Sequence, residues 1–524
     1  MNGRQIFQST LVALVLLCPA GVTAGAEQPG GRPNILWIIA EDMSPDLGCY
    51  GQELVKTPHI DRLAREGARF THAFSASSLC APSRSSFITG MYATSIGAHH
   101  QMLTRPAYSA RFGHGDELPN NGVWLPEPVE PITWLLERAG YFTANVVDRK
   151  LRCNGKEHYN FNVKRPVWQS KQWSDLKSRQ PFYGQVNFYL THRIGIRNME
   201  SPETRPFSAP PRIDPSHVEL PPYYPDHRAV RADWANYLDA VCALDAMVGG
   251  VVNRLKRDGL WEDTIVFFFS DHGRPMPRAK VWLYDAGLRV PLIVRVPAKW
   301  RERFDIQPGA VDDRLVCLID LAATSLDIAG VAKPAWMQGR ILFGPNREPG
   351  REYVAGTRDN LAGARMRNRT VRTRRFRYIR NFTPEVAYKD VTPPWNELRH
   401  PHWVYLRVLK NRGELTPEQA SLLVDRLPEE ELYDVEAEPF ETRNLAGDPS
   451  HAEQLSRMRS TLEQWIESSG DRGDEPVDPD IIKASYRWER DLRDLYERAY
   501  YQPLKERGLP VFPFDEIAGG ANGS

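Results

Sequence analysis

Two stretches of this chain are apolar without interruption, and each stops abruptly on polar residues. Asn34-Ile35-Leu36-Trp37-Ile38-Ile39-Ala40 gives way to Glu41-Asp42, and Thr264-Ile265-Val266-Phe267-Phe268-Phe269 gives way to Ser270-Asp271-His272-Gly273. Unbroken apolar runs of this length predict strands covered on both faces, as in a parallel sheet. Helical periodicity carried by Leu238, Val241, Cys242, Leu244, Asp245 and Val248 predicts a helix from about Arg231 to Asp258. A shorter helix is expected from His59 to Glu66, with Pro58 near its start and Gly67 as its stop. Strands alternating with helices make an α/β fold with a doubly wound, mostly parallel sheet. Ligands bind at the carboxyl ends of such strands, so Glu41, Asp42, Asp271 and His272 become the first candidates for chemistry.

The texture changes after about residue 350. Val371 to Arg380 alternates like antiparallel strands, and Ala452 to Ser468 has the pattern of an amphipathic helix. The expected organisation is an α/β domain over 32–350, a smaller α+β subdomain over 351–470, and a tail over 471–524. That tail has a helical piece at Tyr486 to Arg498 and a Gly-rich end. Pro/Arg-rich stretches at 201–227 and 273–278 read as surface loops that wall a pocket. The Arg-rich strand around 371–380 reads as a solvated face. Residues 1–26 combine Arg4, seven apolar residues from Leu11 to Leu17, and small residues from Gly21 to Ala26. That is the pattern of a secretory signal, too short to span a bilayer. The mature chain is expected to be exported, periplasmic or secreted, with no membrane span.

The charge balance of the 524 residues is +1, so no global field points to nucleic acid, and a charged substrate must be met locally. Beyond Cys18 the cysteines are Cys49, Cys80, Cys153, Cys242 and Cys317. Their sparse spacing makes neither a disulfide framework nor a C-x-x-C metal site. Any pairing among Cys49, Cys153, Cys242 and Cys317 stays open.

The run Cys80-Ala81-Pro82-Ser83-Arg84-Ser85-Ser86-Phe87-Ile88-Thr89-Gly90 reads as a turn entering a helix N-terminus. Backbone N–H groups and the helix dipole there can hold an anion and lower a thiol pKa. The string resembles the signature C-x-P-S-R-x-x-x-x-T-G of the sulfatases of the alkaline-phosphatase superfamily, and the resemblance extends from about residue 32 to 470. It implies an alkaline-phosphatase-like fold in which a maturation enzyme oxidises Cys80 to formylglycine, the nucleophile. It also implies one calcium ion held by Glu41, Asp42, Asp271 and His272 beside Cys80. Glu41 departs from the family's usual Asp. Carboxylates suit calcium, while the imidazole of His272 is a softer donor that also suits other divalent metals.

Further motifs resemble the same family. Lys280 opens K-V-W-L-Y-D-A-G-L-R-V-P-L, similar to K-x-x-x-x-E-G-G-x-R-V-P-L, with Asp285 and Ala286 as departures. Thr191-His192 matches the histidine that contacts the scissile bond. Gly155-Lys156-Glu157-His158 resembles G-K-x-H, but follows Gly140-Tyr141-Phe142-Thr143 later than usual. Val147 to Asn154 is therefore expected to bulge out as an insertion; otherwise Asp148 or Lys150 would stand where Lys156 belongs. The implied roles give the sulfuryl oxygens to Arg84, Lys156 and Lys280, leaving-group protonation to His192, and proton removal from the nucleophile's second hydroxyl to His158. Glu431 to Ala446 resembles the family's closing segment. Gly273 to Pro277 and Thr94 to His100 look most like the N-sulfoglucosamine sulfohydrolase branch. The expected activity is hydrolysis of sulfate esters or sulfamates on a sulfated carbohydrate. Two rivals are a phosphoryl-transfer hydrolase on the same fold and a catalytically silent glycan-binding relative. Cys80 in C-x-P-x-R argues against the first, and the retained charged positions argue against the second.

Overall fold

The computed structural model describes residues 31–101, 123–198, 212–361, 366–387 and 400–476, together with residue 479. The N-terminal signal and the tail helix read from the sequence lie outside the described residues. Eight strands form one sheet: β1 (Asn34–Ala40), β2 (Ala68–Phe74), β3 (Phe142–Asp148), β4 (Cys153–Asn154), β5 (Phe182–Phe188), β6 (Thr264–Ser270), β7 (Arg289–Arg295) and β8 (Ala310–Cys317). Their order is β3-β4-β5-β1-β6-β7-β2-β8, with β3 also paired to β5. The centre, β3-β5-β1-β6, is parallel, whereas β7 runs antiparallel to both its neighbours. The sheet is therefore mixed, with a parallel heart where the apolar runs lie.

All seven residues of β1, of β5 and of β6 are buried. Alternate side chains of β1 feed two cores. Leu36, Ile38 and Ala40 face one, and Ile35, Trp37 and Ile39 face the other. Trp37 meets Phe87, Tyr183 and Phe269 edge-on, and its indole N–H donates to Ser325 Oγ at 3.2 Å. Truncating so large a buried ring would cost roughly 3–5 kcal/mol. The long helix spans Arg228–Arg257 and covers the Leu36 side; its most apolar 18-residue window is 83% buried inside the protein.

Helix α1 (Pro58–Glu66) ends at Gly67, as read from the sequence, but for a different reason. Gly67 is extended rather than left-handed, and a Cβ there would overlap the Val294 carbonyl of β7. Close packing, not helix-ending torsion, requires the glycine.

A second sheet, β12-β11-β10-β9, is antiparallel and comprises β9 (Val354–Arg358), β10 (Asn368–Arg372), β11 (Phe376–Asn381) and β12 (Glu430–Asp434). The helix Ala452–Ser469 accompanies it. The expected solvated arginine face is only half present. Arg374 and Arg375 are exposed, but Arg372 and Arg377 are buried against Asp285 of the larger sheet's domain. The stretch 273–278 is also not a surface loop. Arg274 is half-buried over Trp234 with its backbone N–H on Ser44, and the buried Arg278 lies 3.6 Å over the Tyr284 ring. Arginines there are packed between aromatic rings, which the sequence pattern alone does not distinguish from loop composition.

Candidate active site

Register places the candidate residues together. Ala40, the last residue of β1, pairs with Phe188 of β5 on one side and with Ser270 of β6 on the other. The three strands end level, so Glu41-Asp42, Tyr189 to His192 and Asp271-His272 all emerge at one sheet edge. Asp42 turns with φ +49°, a left-handed conformation that Asp tolerates better than most residues. Its backbone N–H donates to Asp271 Oδ1 at 3.0 Å, locking the two acidic tips together.

Helix α2 (Cys80–Thr89) begins on Cys80 and is buried along its whole length. Pro82 sits in the first turn, where a missing N–H costs nothing, and Gly90 closes the helix in the left-handed conformation at φ +70°. The first-turn N–H groups are not all available to an anion, because Ala81 N donates to Gln101 Oε1 at 3.0 Å and Ser83 N to Leu79 O. Positive charge at Cys80 comes chiefly from side chains. Lys280 Nζ stands 3.4 Å from Cys80 Sγ and 2.7 Å from Asp42 Oδ2, and His272 Nε2 is 3.2 Å from Cys80 Sγ. Burial pushes the thiol up, yet Lys156, Lys280 and His272 together bring it below its ordinary value. The other described cysteines, Cys49, Cys153, Cys242 and Cys317, are free thiols, and burial pushes Cys49 and Cys317 up to about 12.

Asp42, Cys80, Asp271 and His272 each present a donor atom within 4.8 Å of the others. His272 Nδ1 lies 2.9 Å from the Gly273 carbonyl and Nε2 lies 3.1 Å from Asp42 Oδ1, so the ring is held with Nε2 facing the carboxylates. Such an outer contact is how metal-ligating imidazoles are oriented. Glu41 Oε1 is buried at the same place and has no hydrogen-bond donor among the described residues, while Oε2 accepts from Lys156 Nζ. This donor set fits a divalent cation. Burial lifts the Glu41 carboxyl above its usual range against the pull of Lys156 and Arg84. Asp271 goes the other way: Arg84, His272 and Lys156 outweigh its burial and hold it low.

Arg84 lies beneath the acidic strand tips. Its side chain is 0% exposed; Nε and Nη2 reach Asp271 Oδ2 at 3.0 and 2.9 Å, and Nη1 reaches Asn187 Oδ1 at 2.8 Å. It braces the carboxylates from beneath rather than facing the solvent side. Asn187 in turn donates to Asn145 Oδ1 at 2.9 Å, and Gln185 donates to Asn187. Sequence reading missed Asn145, Gln185 and Asn187. Their signal was present: amide side chains within the largely apolar strands β3 and β5, where each must find a polar partner.

The insertion resolves as a hairpin. β3 runs to Asp148, the chain turns, and β4 pairs back with Val147 opposite Asn154 and Asp148 opposite Cys153. Lys150 is exposed on this excursion, while Lys156 returns buried to Glu41. The segment is not a continuous extended strand, since Gly155 (φ +60°) and His158 (φ +46°) are both left-handed. His158 is half-buried and close enough for its charge to act on His192. His192 stacks on Tyr189 at 4.5 Å, with Nε2 3.9 Å from Asp42 Oδ2. Burial and the charges of Lys280, Lys156, His272 and His158 hold its pKa well below the ordinary histidine value. With side chains 17% and 20% exposed, His192 and Lys280 mark the side open to solvent.

The loop bearing Lys280 is clamped from the second sheet. Asp285 pairs with Arg372 and Arg377, and its N–H donates to Glu441 Oε2 at 2.7 Å. Of the family's two glycines, the retained one is Gly287, where a Cβ would overlap the Ala279 carbonyl. Ala286 occupies the position that tolerates a side chain.

A buried thiol, two lysines and a carboxylate–imidazole cluster meet at one sheet edge, and comparison with known proteins gives the class. The sulfatase family model matches residues 33–331, and the N-sulphoglucosamine sulphohydrolase C-terminal model matches residues 278–389. The chain belongs to the sulfatase family and is a sulfuric ester hydrolase. It is 33% identical over 483 residues to an ulvan-active sulfatase of Formosa agariphila, covering 85% of this chain and 76% of that one. It is 28% identical to human N-sulphoglucosamine sulphohydrolase, covering 83% and 90% of the two chains. Among solved structures it resembles the 2-O GAG sulfatase BT1596 with a TM-score of 0.60 and 21% identity, covering 86% of this chain and 96% of that one.

Proposed function

We propose that this sulfatase removes sulfate from sulfated carbohydrates, as esters or sulfamates, using a formylglycine made from Cys80 and one calcium ion. The observation that carries the reading is the meeting of Cys80 Sγ with Lys280 Nζ and His272 Nε2 beside the Asp42–Asp271 carboxylates. Glu41, Asp42, Asp271 and His272 would hold the ion. Formylglycine supplies two hydroxyls on one carbon, and the bound cation supplies a Lewis acid that eases deprotonation of one of them and draws charge from the sulfate.

The chain's own groups do the rest. Lys280 and Lys156 meet the sulfuryl oxygens, where fixed positive charge in a buried site is worth most as negative charge spreads in the transition state. Arg84 acts through Asp271, keeping that carboxylate ionised and aimed. His192, on the open side, is positioned to give a proton to the departing oxygen or nitrogen, and His158 to take one from the second hydroxyl. An anionic substrate offsets the lysine charges that keep His192 neutral. Sulfated glycans as substrates are supported by the ulvan-active relative and by the fold neighbour BT4656, solved with D-glucosamine-2-N,6-O-disulfate. Export to the periplasm or outside, and maturation by a formylglycine-generating enzyme, belong to the same proposal. The test is sulfate release from defined glycosaminoglycan and algal saccharides, with the matching phosphate esters as controls. Turnover of the phosphate esters alone would favour the phosphoryl-transfer alternative.

A further inference from the structure

A second cluster of donor groups lies outside this centre. Asp233 stands on the long helix Arg228–Arg257, while His400 and His402 flank the start of the helix Pro401–Arg412. One ligand atom from each lies within 4.8 Å of the other two, and none of the three residues belongs to the catalytic cluster. His402 is 0% exposed, and among the described residues neither of its ring nitrogens has a hydrogen-bond partner; Nδ1 lies 3.7 Å from Asp233 Oδ2. Tyr224 closes over the ring at 4.3 Å. A fully buried imidazole with both nitrogens unsatisfied is costly and calls for a ligand.

We propose that Asp233, His400 and His402 form a second divalent-metal site, of the two-imidazole, one-carboxylate type that zinc favours. Burial drives His402 to the neutral form, with a pKa of about 4, and neutral imidazole is the form that ligates. Arg193 Nη1 donates to Asp233 Oδ2 at 2.8 Å. Its charge lowers affinity for a cation, but the contact also fixes the carboxylate, as outer partners of metal ligands do. A carboxylate oxygen of Asp233 lies within reach of both imidazoles, and the 12% exposure of this side chain gives a path in. The ion would staple the helix Pro401–Arg412 to the long core helix. Through Arg193, the residue after His192, it would also steady the open wall of the catalytic site. The site stands on its own ligands and is independent of the substrate reading above.

Zinc bound per chain, measured by elemental analysis after chelator stripping and equilibrium dialysis, tests it. The wild type should hold one equivalent more than His402→Ala, and Asp42→Asn should keep that equivalent. Equal zinc in wild type and His402→Ala, with both folded by circular dichroism, would overturn the site. If His402→Ala does not fold, zinc-soaked crystals of the wild type decide. An anomalous peak among the three side chains supports the site, and its absence refutes it.

Discussion

Lys280 Nζ and Asp42 Oδ2 are 2.7 Å apart although 238 positions separate them, and this contact ties the loop after β6 to the tip of β1 directly above Cys80. Burial would lower the lysine's pKa, but Asp42 and Cys80 raise it above the ordinary value. Under the proposed reading, this ammonium beside Cys80 would offset the negative charge of an approaching sulfate, and Lys156, paired with Glu41, would supply a second positive charge.

Lys156→Ala should cut kcat by roughly 10²–10³-fold, the usual cost of losing one preorganised charge-stabilising donor. Lys150→Ala, on the exposed hairpin, should leave kcat nearly unchanged. Steady-state kinetics on one sulfate ester distinguishes the two. A large loss at Lys150 with a small one at Lys156 would place the hairpin register wrongly.

His192→Ala should hurt most where the leaving group is poor. Turnover of alkyl sulfates should collapse, while an aryl sulfate with an acidic phenol leaving group, which departs without protonation, should lose far less. Equal losses across a leaving-group series would remove His192 from the role of acid.

Chelation should abolish turnover, and added calcium should restore it, because Glu41, Asp42, Asp271 and His272 form a buried set that calls for a cation. Full activity in protein verified metal-free by elemental analysis would contradict that.

Asp245 provides a pH test of the fold. It accepts from Ile60 N at 2.7 Å and His59 N at 3.2 Å, pinning the start of α1 to the long helix, and burial raises its carboxyl to about 7. The folded pKa lies above the unfolded one, so the native state binds the extra proton. The stabilisation is complete below about pH 4 and is lost as pH rises to about 7, with a ceiling of about 4 kcal/mol. Relative to wild type, Asp245→Asn should therefore gain stability as pH rises from about 5 to about 8 in urea unfolding. A relative loss over that range would reverse the assignment.

Much of this was legible in the residues. Unbroken apolar runs ending on Glu41-Asp42 and Asp271-His272 mark core strands with ligands at their tips, and parallel register brings such tips together. The hairpin before Lys156 was legible as an excess of residues. Less legible was everything that depends on a partner remote in sequence. The contacts of Arg84 Nε with Asp271 and of Nη1 with Asn187 are of this kind. Arg372 and Arg377 read as solvated until Asp285 is seen opposite them. Gly67 reads as a helix stop, whereas the backbone of β7 is what excludes a side chain. The amides Asn145, Gln185 and Asn187 carried a readable signal, since a polar side chain inside a buried strand must find a partner.

The central claim is that Cys80, once converted, is the nucleophile of a sulfate hydrolase. The most direct measurement pairs peptide mass spectrometry of the Cys80 peptide with sulfate release by the same preparations, produced with and without a maturation enzyme. The account predicts turnover proportional to the fraction of Cys80 found as formylglycine, with Cys80→Ala inactive. Equal sulfate release from converted and unconverted protein would contradict it.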